Sequence, residues 1–221
     1  MQEIRVIFSK TQNAKYISHL DINRAMGRAV SRAKLPVWYT EGFNPHPYMS
    51  FSLPLPLGVE SECESMDIRL VESLDLNAVV EKLNSVLPTG LKAISALSEF
   101  DKPENIAFAD YVFNFEFKNN LQAGKMIKDF LSREEIIAQK KVKKGRRKIM
   151  SDVNIKSLVD SFSVSADENS VVVNARLKAG INGNLSPVLL CTAILTGCSL
   201  DFESKSIKRL RLLKSDYSIY K

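Results

Sequence analysis

Two histidines, one tryptophan and three cysteines are all that 221 residues contain of those types, and each scarcity removes a class of function. Cys63, Cys191 and Cys198 stand at wide and unequal intervals, which suits neither a disulfide framework nor an iron–sulfur or zinc ligand set. Cys191 lies in an apolar helical pattern with Cys198 just beyond it, so buried free thiols are expected, with a disulfide or metal pair between them as the alternative. No apolar run approaches the roughly 18 residues of a spanning helix. The opening MQEIRVIFSK lacks the charged head and apolar run of a signal peptide, so a cytoplasmic location is expected. Gly180-Ile181-Asn182-Gly183 lacks the GK[ST] ending of a phosphate loop, and no G-x-S-x-G elbow occurs.

What is present is a chain with ample core material, 45% apolar, and an uneven charge of +6. Residues 1–103 carry 11 Lys/Arg against 12 Asp/Glu; residues 104–221 carry 20 against 13. The second half therefore invites an anionic partner.

Periodicity divides the chain into two similar halves. Glu3–Ser9 alternates as a half-buried strand. Ser18 is a good N-cap for a helix whose apolar positions Ile22, Ala25, Met26, Ala29, Val30 and Ala33 recur at three and four residues, ending by Leu35 before Pro36. Val37–Tyr39 is a short extended run, Met49–Leu57 and Met66–Val71 are strands, Leu74–Leu87 a helix, and Leu91–Leu97 a strand. A linker is expected at 101–105, where Pro103 sits among charged and polar residues. Beyond it the spacing predicts a strand at Tyr111–Phe117, a helix over 121–131, a strand from Ile136 to Ala138, a short helical turn at Ile155–Leu158, and a strand at Val171–Leu177. Pro187 opens a helix over Val188–Leu195 with Gly197 placed beyond its end, and Ile207–Leu213 is the last strand. The expected fold is α+β: two ferredoxin-like split-βαβ modules, antiparallel sheets covered by helices, over 1–102 and 106–221. One mixed α+β domain without a repeat is the alternative.

Three blocks in the first half stand out: SHLD at 18–21 with arginines following, GFNPHP at 42–47, and PLPLGVESECESMD at 54–67. With these in order over 16–70, the chain resembles the opening domain of the radical-SAM-linked proteins. That bacterial family of unknown function is found fused to radical SAM enzymes or encoded beside them. The resemblance implies a radical SAM enzyme as partner. Radical SAM chemistry requires a three-cysteine iron–sulfur centre, and these residues contain no CxxxCxxC segment. The expectation is an associated, non-catalytic module with no cofactor and no metal of its own, positioning an RNA or protein substrate. The alternative is an RNA-binding or metal-independent RNA-processing protein.

Several residue groups could carry such a role. Arg24, Arg28 and Arg32 stand four apart on one helix face, and Asp21 can pair only with the nearest. They either bind phosphate or carboxylate, or form a solvated face answered by acids such as Glu62 and Glu64. His46 is held between two prolines in a loop where Gly42 supplies a turn and Asn44 can bond its own backbone. His19 falls in the first helical turn. As acid and base the two histidines are candidate catalytic residues for RNA cleavage only if the fold brings them together. His19, Asp21, Arg24, Arg28, Asn44 and His46 are expected to share one cleft. The run from Lys140 to Lys148 has seven cations in nine residues. It is expected as an exposed hairpin or mobile loop with Gly145 at its tip, its Lys143, Lys144, Arg146 and Arg147 following a phosphate backbone. A solvated solubility loop is the alternative.

Overall fold

A computed structural model describes residues 1–117, 122–144 and 147–221, with the backbone alone at 141–144, 147 and 148. The fold is α+β. Two units divide the chain, Met1–Asn105 with Ile219–Lys221, and Ile106–Ser218.

The first unit is built on β1 (Gln2–Lys10), flanked antiparallel by β3 (Val59–Leu70) and β4 (Leu91–Leu97). The short β2 (Met49–Phe51) pairs with β3, giving the order β4-β1-β3-β2. The strand expected over Met49–Leu57 stops at Phe51 because Pro54 and Pro56 have no N–H for a ladder. β3 begins earlier than its apolar residues suggest, since Ser61, Glu64 and Ser65 are buried within it. α1 (His19–Arg32) and α2 (Leu76–Asn84) complete the unit. The Ser18 hydroxyl accepts the Asp21 N–H at 3.2 Å and so caps α1. Ile22, Met26, Ala29 and Val30 of α1 are buried with Ile4, Val6 and Phe8 of β1 and Met66, Ile68 and Leu70 of β3. The period of the helix thus meets the alternation of the strands in one core.

Alternation sends Arg5 to the other face of β1, where it opposes Asp67 of β3. Its guanidinium donates to both Asp67 oxygens, at 2.6 and 2.7 Å, and to the carbonyls of Asp101 and Lys221 at 2.9 and 2.8 Å. The Phe100 and Tyr220 rings lie 4.4 and 4.8 Å from it. Each of its three nitrogens has an acceptor, which is what permits a guanidinium to be buried. This cluster also explains why residues 219–221 group with the first unit.

The second unit contains β5 (Phe108–Glu116), α3 (Ala123–Ser132), β6 (Ile137–Lys144), β7 (Arg147–Asn154), β8 (Val159–Ala166), β9 (Ser170–Lys178), α4 (Pro187–Cys198) and β10 (Ser204–Leu213). Its sheet runs β10-β5-β9-β8, antiparallel throughout, while β6 and β7 form a separate ribbon. Two expectations need correction. β8 was not expected: five of its eight residues are exposed, and only Phe162 and Val164 repeat on its inner side. Gly197 lies inside α4, not beyond it. A Cβ there would collide with the Phe130 ring of α3, so the glycine serves helix packing, and Ser199 ends the helix in the left-handed conformation at φ 51°. Cys191 and Cys198 are buried free thiols, raised by burial above the usual thiol range.

Candidate anion-binding groove

Residues four apart on a helix advance by about 40°, so Arg24, Arg28 and Arg32 share one face of α1. That face and the loop 39–49 border an open groove of about 580 Å³, lined also by Gly27, Ser31, Tyr39, Pro45, His46, Pro47 and Met49. The loop approaches closely because α1 has no side chain at Gly27, where a Cβ would lie 3.2 Å from Met49 Cε. Ser31 Oγ donates back to the Gly27 carbonyl at 3.0 Å and stands 3.4 Å from the Tyr39 hydroxyl, tying helix to loop.

The three arginines differ in their engagements. Arg24 pairs with Asp21 at 3.3 Å. The Ser18 hydroxyl first, and Arg24 after it, hold the Asp21 carboxyl below the usual carboxylate range. Arg32 donates to the Val86 carbonyl at 2.8 Å, just past the end of α2. Arg28 is exposed and has no hydrogen bond or ion pair among the described residues. On the acidic strand, Glu60 pairs with Lys15 at 3.3 Å and Asp67 with Arg5.

The loop is closed by its own residues. The Thr40 N–H donates to the His46 carbonyl at 2.9 Å, and the His46 N–H to Thr40 Oγ1 at 3.2 Å. His46 Nδ1 lies 3.1 Å from both Thr40 Oγ1 and the Asn44 carbonyl. A carbonyl can only accept, so Nδ1 donates to it, which leaves Nε2 as the ring nitrogen open to a ligand. Gly42 turns the loop at φ +134°, and Phe43 beside it is fully exposed.

The expected single cleft is only partly formed. Arg24, Arg28, Arg32 and His46 line the groove; His19, Asp21 and Asn44 do not line it. Nine residues at about 100° each carry His19 about 180° round the helix from Arg28. His19 lies edge-on to Phe51, with ring centroids 5.2 Å apart, and lines a separate small pocket with Phe8, Lys10 and Glu64. The two histidines therefore do not meet as an acid–base pair. Among the described residues no three His, Cys, Asp or Glu side chains gather as a metal site requires. No described helix is long and apolar enough to cross a membrane.

In the basic run, β6 and β7 pair from Ile137↔Asn154 to Lys144↔Arg147. Lys143 stands opposite Lys148 and Lys144 opposite Arg147. Gly145 and Arg146, and the side chains of Lys143, Lys144 and Arg147, lie outside the described residues.

A further cluster was not apparent from sequence. Asp110 of β5 receives Arg176 of β9 at 2.8 Å and Arg211 of β10 at 2.6 Å. It borders a cavity of about 330 Å³ with Ser161, Ser163 and Asn174. Tyr217 lies 5.0 Å from the Arg176 guanidinium and stacks on Phe108. Only the alternation placing Asp110 and Arg176 on facing strands could have hinted at it.

Residues 3–187 match the model of a family described as uncharacterized proteins conserved in bacteria (DUF2344). The chain belongs to that family. DUF2344 is known to occur with radical SAM enzymes, the association implied by the SHLD and GFNPHP blocks. No curated protein matches the sequence. Among solved structures, the fold is similar to a chain in the crystal structure of a Cbf5-Nop10-Gar1 complex, with a TM-score of 0.52 and 11% identity. The match covers 96% of this chain and 50% of that one, so the chain spans about half its relative's length. At that identity the likeness concerns the fold alone. The crystal structure of an unknown protein from Galdieria sulphuraria matches at a TM-score of 0.26 and 10% identity, over 94% of this chain and 98% of the other, too remote to carry an argument.

Proposed function

We propose that the chain is a non-catalytic accessory module of a radical SAM enzyme, and that its first unit holds an anionic segment of that enzyme's substrate. The observation that carries this reading is the family's occurrence with such enzymes. The lack of a CxxxCxxC segment in these 221 residues agrees with it, since the cluster that the chemistry requires is then held outside them. The arginine groove supplies the means: Arg24 and Arg28 present forked donors suited to phosphate or carboxylate. We read both units as ferredoxin-like domains. The chain order β-α-β-β-α-β and the sheet orders β4-β1-β3-β2 and β10-β5-β9-β8 support this, with the β6–β7 ribbon inserted in the second.

The test is co-expression with the radical SAM enzyme encoded nearest to this chain. A complex that survives purification, and turnover that falls when the chain is omitted, is the expected result. Absence of both binding and any effect on turnover would overturn the proposal.

A second reading, binding of nucleic acid without the enzyme, is favoured by the ribbon. Cations directly opposite one another across a ladder are unfavourable unless an anion answers them, and the register pairs Lys143 with Lys148 and Lys144 with Arg147. Neutralising Lys143, Lys144, Arg146 and Arg147 together is expected to flatten the log–log salt dependence of RNA binding by roughly 3–4 units. An unchanged slope with the fold intact would return the ribbon to a solubility role.

A further inference from the structure

We propose that the α1 groove takes a single strand of RNA, with Arg24 and Arg28 on successive phosphates and a base stacked on Phe43. This rests on the reading above that the first unit holds an anionic substrate, and it names the class.

Charge is the first support. Three guanidiniums stand on one helical face, with Cβ atoms about 5–6 Å between neighbours, a repeated spacing suited to a polyanion. Asp21 answers Arg24, and the Val86 carbonyl takes one arm of Arg32. Arg28 keeps its whole fork exposed, without a hydrogen bond or ion pair among the described residues. A cation centred on such a face, between two others, calls for an external anion.

Phe43 is the second support. It lies three residues before His46 in the loop that walls the groove and is exposed over its full surface. Covering that ring with another flat apolar surface would be favourable. A cationic groove beside an exposed aromatic is the pairing by which proteins hold single strands, phosphates on the cations and bases on the rings. An acidic peptide would satisfy the arginines but leave the ring uncovered. A duplex keeps its bases stacked inside and would leave it uncovered too.

Preorganisation is the third. The Thr40–His46 bonds and the flanking Pro45 and Pro47 fix the loop before any ligand arrives, so little ordering entropy opposes binding. With Nδ1 engaged by the Asn44 carbonyl, Nε2 of His46 is left to hydrogen-bond a ribose 2′-hydroxyl, which both donates and accepts, and the 2′-hydroxyl is what distinguishes RNA from DNA.

The test is fluorescence anisotropy of the full chain with a labelled single-stranded oligoribonucleotide of mixed sequence, about 8–12 nucleotides long, titrated at several salt concentrations. Arg28→Gln is expected to reduce the salt slope by about 0.7, the release expected from one single-strand phosphate contact. Phe43→Ala is expected to weaken binding about tenfold with the slope unchanged, and Phe43→Trp to restore it. Circular dichroism checks that each variant, changed only at an exposed position, remains folded. Any of three results would overturn the proposal. They are no binding at low salt; binding indifferent to both Arg28→Gln and Phe43→Ala; or a polyglutamate peptide bound with dependence on Arg28 and none on Phe43. The enzyme is absent from this assay. RNA binding without complex formation would therefore refute only the accessory reading, and a complex without RNA binding would refute only this one.

Discussion

Two arginine–aspartate clusters, one in each unit, are built in opposite ways. In the first, Arg5 is wholly buried, matched one to one with Asp67, covered by Phe100 and Tyr220, and bonded to two carbonyls. Burial opposes its charge, yet Asp67 raises its proton affinity overall. In the second, Asp110 serves two arginines at once, and Arg211 is about half exposed beside an open cavity. Burial again works against the charge, but the two guanidiniums hold the Asp110 carboxyl below its usual range. A closed one-to-one pair is structural cement. A carboxylate shared by two cations, with Asp160 also acting on Arg176, makes a network open to solvent. The first unit shows the same contrast within itself: Arg5 is sealed, while Arg28 is exposed on the groove.

Removing the sealed arginine should have the largest effect. Arg5→Ala strands Asp67 and the carbonyls of Asp101 and Lys221 without their donor, and urea unfolding should record a loss of about 3–5 kcal/mol. A loss under about 1 kcal/mol, the level of a surface pair, would break the distinction between sealed and shared arginines. Asp110→Asn should cost less, about 1.5–3 kcal/mol at neutral pH, because the amide still accepts from one guanidinium. Its pH dependence sharpens the comparison. The folded carboxyl titrates below its unfolded value near 3.9, so its contribution is complete above that value and disappears as pH falls through the folded one. The gap between wild type and Asp110→Asn should therefore close in acid. A gap independent of pH would assign the effect to packing.

How much of this was legible depended on the range of the interaction. The cap at Ser18, the period of α1 and the limits of β4 are local, and the sequence displays them. The arginine face was legible because four-residue spacing fixes a direction on any helix. His19 was misplaced although nine residues already set it about 180° round the helix from Arg28; what spacing does not show is that the 39–49 loop brings His46 to the arginine side. Arg5 and Asp67 are 62 residues apart, and nothing in their surroundings announces a pair. β8 escaped because its alternation rests on only two apolar residues, Phe162 and Val164, between exposed serines. Gly197 read as a helix stop because its contact, the Phe130 ring, comes from another helix.

Gly27 of α1 and Gly197 of α4 both lie inside a helix, and these two should respond with opposite sign. At Gly197 the new methyl group must displace the buried Phe130 ring. Overpacking of about 1–3 kcal/mol should outweigh the roughly 1 kcal/mol that alanine gains in a helix, so Gly197→Ala should lower stability. At Gly27 the nearest atom is Met49 Cε, the far end of a flexible side chain at 3.2 Å, and a shift of a few tenths of an ångström relieves the contact. The helix gain then dominates, and Gly27→Ala should leave stability unchanged or raise it by up to about 1 kcal/mol. The cost appears elsewhere, because Gly27 and Met49 both line the arginine groove and the methyl group narrows it. Ligand affinity should fall while the melting temperature holds or rises. Thermal unfolding of both variants, beside RNA titration of Gly27→Ala, checks this. A fall in stability at Gly27 matching that at Gly197 would mean that the 39–49 loop is as rigidly packed as the second unit's core.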